Sequence, residues 1–171
     1  MTALVIILRI IHIFSGIFWV GFAIFNFVYF QPALKATGAE GQSVLQYLSK
    51  KTSLMPTVYL SATLTFISGL ALFWPMSATP AVMHSGYGMI ISIGALAGIV
   101  AWVMAVFVIR GILKNLEQAG QAMQSQDGAP SKDQIDKMTR LSKRLNRNGR
   151  IALIFMMIAV LGMSIAQYAW F

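Results

Sequence analysis

The sequence has no cysteine, only five acidic residues and only two histidines in 171 positions. Without cysteine there are no disulfides, iron–sulfur clusters, thiolate zinc sites or thiol catalysis. All five acids (Glu40, Glu117, Asp127, Asp133, Asp136) lie outside the long apolar runs. That excludes a carboxylate proton relay or an acid-coordinated cation site within those runs. Two histidines cannot build a three-histidine metal centre. The chain also lacks a phosphate-binding glycine loop and a Ser/His/Asp set in a hydrolase frame, so an independent enzyme is not expected.

What the chain does have is apolar surface. It is 57% hydrophobic and 11% charged, with a mean hydropathy of +0.71. The excess falls into runs of roughly twenty residues, enough to cross a ~30 Å hydrocarbon core at about 1.5 Å per residue. The length suits one domain, here a single membrane domain over 1–171. The runs predict helices over about 4–30, 54–74, 86–109 and 151–171. The first is too long for a signal-peptide core and has no small-residue cleavage pattern after it, so it reads as a retained helix. Gln31-Pro32 and Trp74-Pro75 predict the ends of the first two helices, because proline disfavours helix at the residue before it. Pro56 falls near a helix start, where its missing N–H is tolerated.

The third helix is predicted to continue past Arg110 to about residue 126, since Ile112, Leu113, Leu116, Ala119 and Met123 keep a helical stripe. Asp127-Gly128-Ala129-Pro130 breaks it. Ser131 and Gln134 then have capping-box spacing, and Ile135, Met138, Leu141 and Leu145 follow at helical intervals. The expected fold is all-α: an antiparallel four-transmembrane-helix bundle with a helical hairpin between helices three and four.

Charge orients it. Arg9 stands apart; the other twelve of the thirteen basic residues fall in the first and third connections, and the second connection, 76–85, has no charge. The basic side is expected to be the cytoplasm, with both termini outside. The net charge of +8 is therefore a topology signal, reinforced by anionic headgroups, and no nucleic-acid partner is expected. The basic hairpin reads as a solvated, lipid-facing surface or as a docking site for a partner subunit.

Helices associate in lipid through small residues and a few hydrogen bonds. Gly94-x-x-x-Gly98 with Ala101 and Ala105, Gly16 and Gly21, Gly69, and Gly162 supply the small residues. Thr57, Ser61, Thr65 and Ser68 give helix two a mildly polar face. The same pattern serves a bundle or a homo-oligomer. Asn26, on nearly the same face as His12, is expected to bond a neighbouring helix.

An ionisable residue inside a membrane is a functional candidate, and His12 is the clearest one. It lies about 12 Å into helix one at 1.5 Å per residue, with Arg9 one turn before it and Gly16 and Trp19 after it. An imidazole next to a glycine suits a flat metal-bearing cofactor, and an arginine near the surface suits a haem propionate. His84, before helix three, falls toward the same outer side, where two axial imidazoles would make a b-type haem. Gln167 and Tyr168 would complete a polar cluster with Arg9. Two other readings of His12 stand beside this: a hydrogen-bonded packing residue, and a copper or other metal ligand with His84 and nearby Met76 and Met83. His84 has its own bland reading as an exposed loop residue. Trp74, Tyr87, Tyr168 and Trp170 fit an outer interfacial belt.

The stretch His12-Ile-Phe-Ser-Gly16-Ile-Phe-Trp19-Val-Gly21, running on to Pro32-Ala-Leu34, resembles the first helix of a loose group of small bacterial membrane proteins. The group includes the copper-resistance D-type membrane domain, the membrane domain of membrane-bound urate oxidase and several uncharacterised integral membrane families. Ser68-Gly69-Leu70-Ala71-Leu72 and Met163-Ser-Ile-Ala-Gln167-Tyr168 resemble the last of these. The resemblance implies a bacterial inner-membrane location, a four-helix core and a haem or copper connection through His12. It carries no activity: the urate-oxidase-like members have an electron-transfer domain not found in these 171 residues, and the copper-resistance members have more metal ligands. Gln167 also stands where the group has an arginine.

Three functions therefore stand side by side. The leading one is a small haem-b-type redox protein or subunit using His12, His84, Arg9, Gly16 and Trp19. The second is a non-catalytic accessory subunit of a larger membrane complex. The third is copper handling at the outer face through His12 and His84.

Overall fold

The computed structural model describes residues 3–125 and 129–169, and among them it is helical with no strand. The expected breaker at Asp127-Gly128 and the belt residue Trp170 fall outside the described residues. Four helical stretches are long and apolar enough to cross a membrane: Ala3–Thr37, Leu54–Ser77, Gly86–Met123 and Lys132–Tyr168.

The first stretch does not end at Pro32. Helix α1 (Ala3–Phe25) passes into a π-helical turn, Asn26–Phe30, and on into α2 (Gln31–Thr37). Within that turn the Gln31 N–H reaches back five residues to the Asn26 carbonyl. Proline disrupts a helix by removing an N–H and crowding the carbonyl four residues back. The widened π register ahead of Pro32 relieves that crowding, so the helix bends on instead of stopping. Gly38, at φ +58°, then separates α2 from the amphipathic α3 (Ala39–Lys51).

Helix α4 (Leu54–Ser77) likewise carries Pro75 within its last turn rather than stopping before it. A four-residue turn of helix, α5 (Pro80–Met83), leads to Ser85, whose hydroxyl accepts the Gly88 N–H at 3.2 Å and caps α6 (Gly86–Val103). A second π turn, Met104–Ile109, continues α6 into α7 (Arg110–Gln124). The expected capping box opens α8 (Lys132–Ile165): the Gln134 N–H donates to Ser131 Oγ at 3.3 Å, and the Ser131 N–H donates to Gln134 Oε1 at 2.8 Å. α7 runs alongside α8, as the hairpin reading requires. A 3-10 turn, Ala166–Tyr168, follows α8.

The helices pack as two close pairs, α1 with α4 and α6 with α8, joined by sparser contacts. Trp19 and Ala23 of α1, Ala62 of α4, Ala101 of α6 and Met156 of α8 meet in one cluster that unites the pairs. Small residues make the closest approaches. A Cβ on Gly162 would lie 3.1 Å from Gly94 Cα, and one on Gly98 would meet Ala159 Cβ at 3.8 Å. Between the pairs, Phe66 stacks on Trp102 with centroids 4.0 Å apart, and the Arg110 guanidinium lies 5.5 Å from the centre of the Tyr59 ring.

Large apolar side chains point outward instead: Phe14 is 72% exposed and Ile17 66%. In water such a surface would cost about 25 cal/mol per Å²; against hydrocarbon tails that cost vanishes, and close packing of small residues decides which faces meet.

Candidate functional site

His12 faces α4. Its Nδ1 lies 2.9 Å from the carbonyl oxygen of Thr65 and 3.4 Å from Ser68 Oγ. A carbonyl can only accept, so Nδ1 carries the proton, and in the neutral imidazole Nε2 keeps the lone pair. The Thr65 carbonyl has two lone pairs and can serve both its own helix and this ring. Ser68, 2% exposed, is committed as a donor to the Leu64 carbonyl at 2.5 Å, so its oxygen is left to face the histidine as an acceptor.

Gly69 makes this approach possible. A Cβ there would stand 2.8 Å from His12 Cε1 and 3.1 Å from Nδ1. One turn along α1, Gly16 faces Thr65, whose Cγ2 would lie 3.6 Å from a Cβ at that glycine. Ser15 accepts from Thr65 Oγ1 at 2.8 Å and donates to the Ile11 carbonyl at 2.5 Å, while Thr65 Oγ1 also reaches the Ser61 carbonyl at 2.8 Å. His12 and Ser15 from α1 thus meet Ser61, Thr65 and Ser68 from α4 in one polar seam.

The other residues singled out in the sequence are placed differently. Trp19 is buried in the core cluster, and Gly16 is taken up by packing on Thr65. Arg9 is exposed one turn before His12. His84 is exposed in the turn after α5, with its backbone N–H donating to the Pro80 carbonyl at 3.0 Å. A Cβ on Gly88 would overlap the Val82 carbonyl, so α5 and this turn are seated directly on the start of α6. His84 therefore belongs to that turn, and no hydrogen bond among the described residues joins its side chain to the seam around His12. Met76, a candidate soft ligand, accepts the Tyr87 hydroxyl through its sulfur at 3.7 Å. Gln167 and Tyr168 are exposed in the final 3-10 turn, and no group of three or more His, Asp or Glu side chains is gathered among the described residues.

Ser61, Thr65, Ser68 and Gly69 are legible on helix two from the sequence, but nothing local in it joins them to His12. The signal was the polar face running into a glycine; the missing step was a pairing across more than fifty residues, which local spacing does not encode.

No protein-family model, curated protein or solved structure matches the chain.

Proposed function

We propose that the chain is an antiparallel four-helix protein of the bacterial inner membrane, with both termini outside and the α7–α8 hairpin in the cytoplasm, and that His12 would hold the iron of a b-type haem. The carrying observation is the 2.9 Å bond from His12 Nδ1 to the Thr65 carbonyl. Metal-binding histidines characteristically donate their other ring N–H to a carbonyl, which fixes the tautomer and raises the basicity of the ligating nitrogen. The donor set fits a single haem-holding histidine, with Nε2 as the atom that would bind the iron.

In this reading Ser68 and Gly69 hold the ring against α4, and Arg9, a turn nearer the outer surface, pairs with a propionate. Gly16 and Trp19 hold the helix that carries His12. His84 lies in the turn after α5, and the reading rests on His12 alone. A haem bound there would supply one-electron chemistry, and the residues of the chain would supply position and tautomer. The chain then acts as an electron-transfer protein or subunit rather than an enzyme with its own substrate.

Haem content per chain, measured after expression with haem available, tests the proposal. Wild type is expected to bind haem and His12→Ala to lose it, while His84→Ala retains it. Loss of haem in His84→Ala with retention in His12→Ala would overturn the assignment. A haem-free wild type that binds copper through both histidines would replace it with the copper reading.

A further inference from the structure

Gly21 has the composition of a helix-seam residue, yet a Cβ built on it meets nothing within 4 Å. A glycine in a helix interior is destabilising relative to alanine, and no turn or close backbone approach uses this one. Gly21 instead forms the floor of an apolar groove of about 510 Å³, with Phe18, Phe22 and Phe25 of α1, Leu48 of α3 and Leu54 of α4 among its walls. The lining runs from Ile17 of α1 to Phe30 of the π turn that follows it, about 20 Å at 1.5 Å per residue. That is about two thirds of a ~30 Å hydrocarbon core, long enough to take an acyl chain from one leaflet.

The groove is lined by apolar residues, and a basic residue lies in the chain segment between two of them. Lys51 is exposed and stands three residues from each of Leu48 and Leu54. Thr52 fixes the turn between those leucines: its hydroxyl donates to the Leu48 carbonyl at 2.5 Å and accepts the Leu54 N–H at 3.2 Å. Glu40 lines an adjoining groove between α2 and α3, which shares Phe30 with this one.

The geometry points to a lipid site: a glycerophospholipid with an anionic head group, one acyl chain laid over Gly21 and the phosphate at Lys51. Depth and apolar walls select a chain from the surrounding leaflet, and the lysine between Leu48 and Leu54 selects the head group. The inference rests on the bilayer insertion proposed above and is independent of haem at His12.

Full-length protein in mixed micelles with equal phosphatidylglycerol and phosphatidylcholine, stripped of lipid stepwise in native mass spectrometry, provides the test. Wild type is expected to retain one phosphatidylglycerol after other lipids leave. Gly21→Leu, which fills the groove, loses it; Lys51→Gln retains a lipid without head-group preference. Gly21→Ala, favoured in a helix, keeps the fold and retains the lipid less well than wild type, so a misfolded leucine variant leaves the test standing. Wild-type retention in folded Gly21→Leu overturns the proposal. So does an absence of head-group preference in the wild type, or loss of the lipid in Lys143→Gln/Arg147→Gln with Gly21→Leu unaffected.

Discussion

His12 of α1 lies so close over Gly69 of α4 that a Cβ on the glycine would stand 2.8 Å from the imidazole Cε1. The approach places His12 Nδ1 at 2.9 Å from the Thr65 carbonyl, one helical turn before Gly69. Glycine, carbonyl and imidazole form one device, and its energetic sign depends on the ring being present.

Gly69→Ala in the otherwise native chain is therefore expected to lower stability by about 1–3 kcal/mol, the usual cost of overpacking. In a His12→Ala background the methyl has the space the ring vacated, and alanine's helix preference, about 0.8–1 kcal/mol over glycine, makes the same change stabilising. Thermal unfolding in mild detergent reads the cycle. An equal cost in both backgrounds would show that the ring does not sit on Gly69.

A second close approach anchors the start of the fourth span. A Cβ on Gly149 would overlap the ring of Phe27, which lies in the π turn of the first stretch. Gly149→Ala is expected to destabilise by about 1–3 kcal/mol, and Phe27→Leu, by shortening the side chain, to remove most of that penalty. The double-mutant coupling measures the contact; additive costs would contradict it.

The absence of cysteine makes topology directly testable. Single substitutions Thr79→Cys, in the uncharged second connection, and Ser131→Cys, at the N-cap of α8, place one thiol at each end of the bundle. In intact cells, a membrane-impermeant maleimide is expected to label Thr79→Cys, while Ser131→Cys labels only after lysis. The reverse pattern would invert the proposed orientation.

The parts of this molecule that are local in sequence could be read from it. The four apolar runs, the Ser131–Gln134 capping box and the Gly94–Gly98 seam each depend on neighbours within a turn or two, and the structure has them. Prolines were read less well, because Pro32 and Pro75 act through register: a π turn ahead of Pro32, and a last helical turn around Pro75, absorb what an isolated X-Pro rule treats as a stop. Gly16 and Gly69 are packing glycines as expected, whereas Gly21 packs on nothing, a difference set by which face of α1 meets α4. The His12 site was half legible: the histidine stood out by its chemistry, but its partners Thr65, Ser68 and Gly69 are fixed by helix pairing across the chain.

The most direct measurement is the absorption spectrum of protein purified in mild detergent, oxidised and then reduced with dithionite. A Soret band is expected, with sharpened α and β bands on reduction, all absent from His12→Ala. A wild-type spectrum flat throughout the visible would contradict it and leave His12 as a residue that ties α1 to α4.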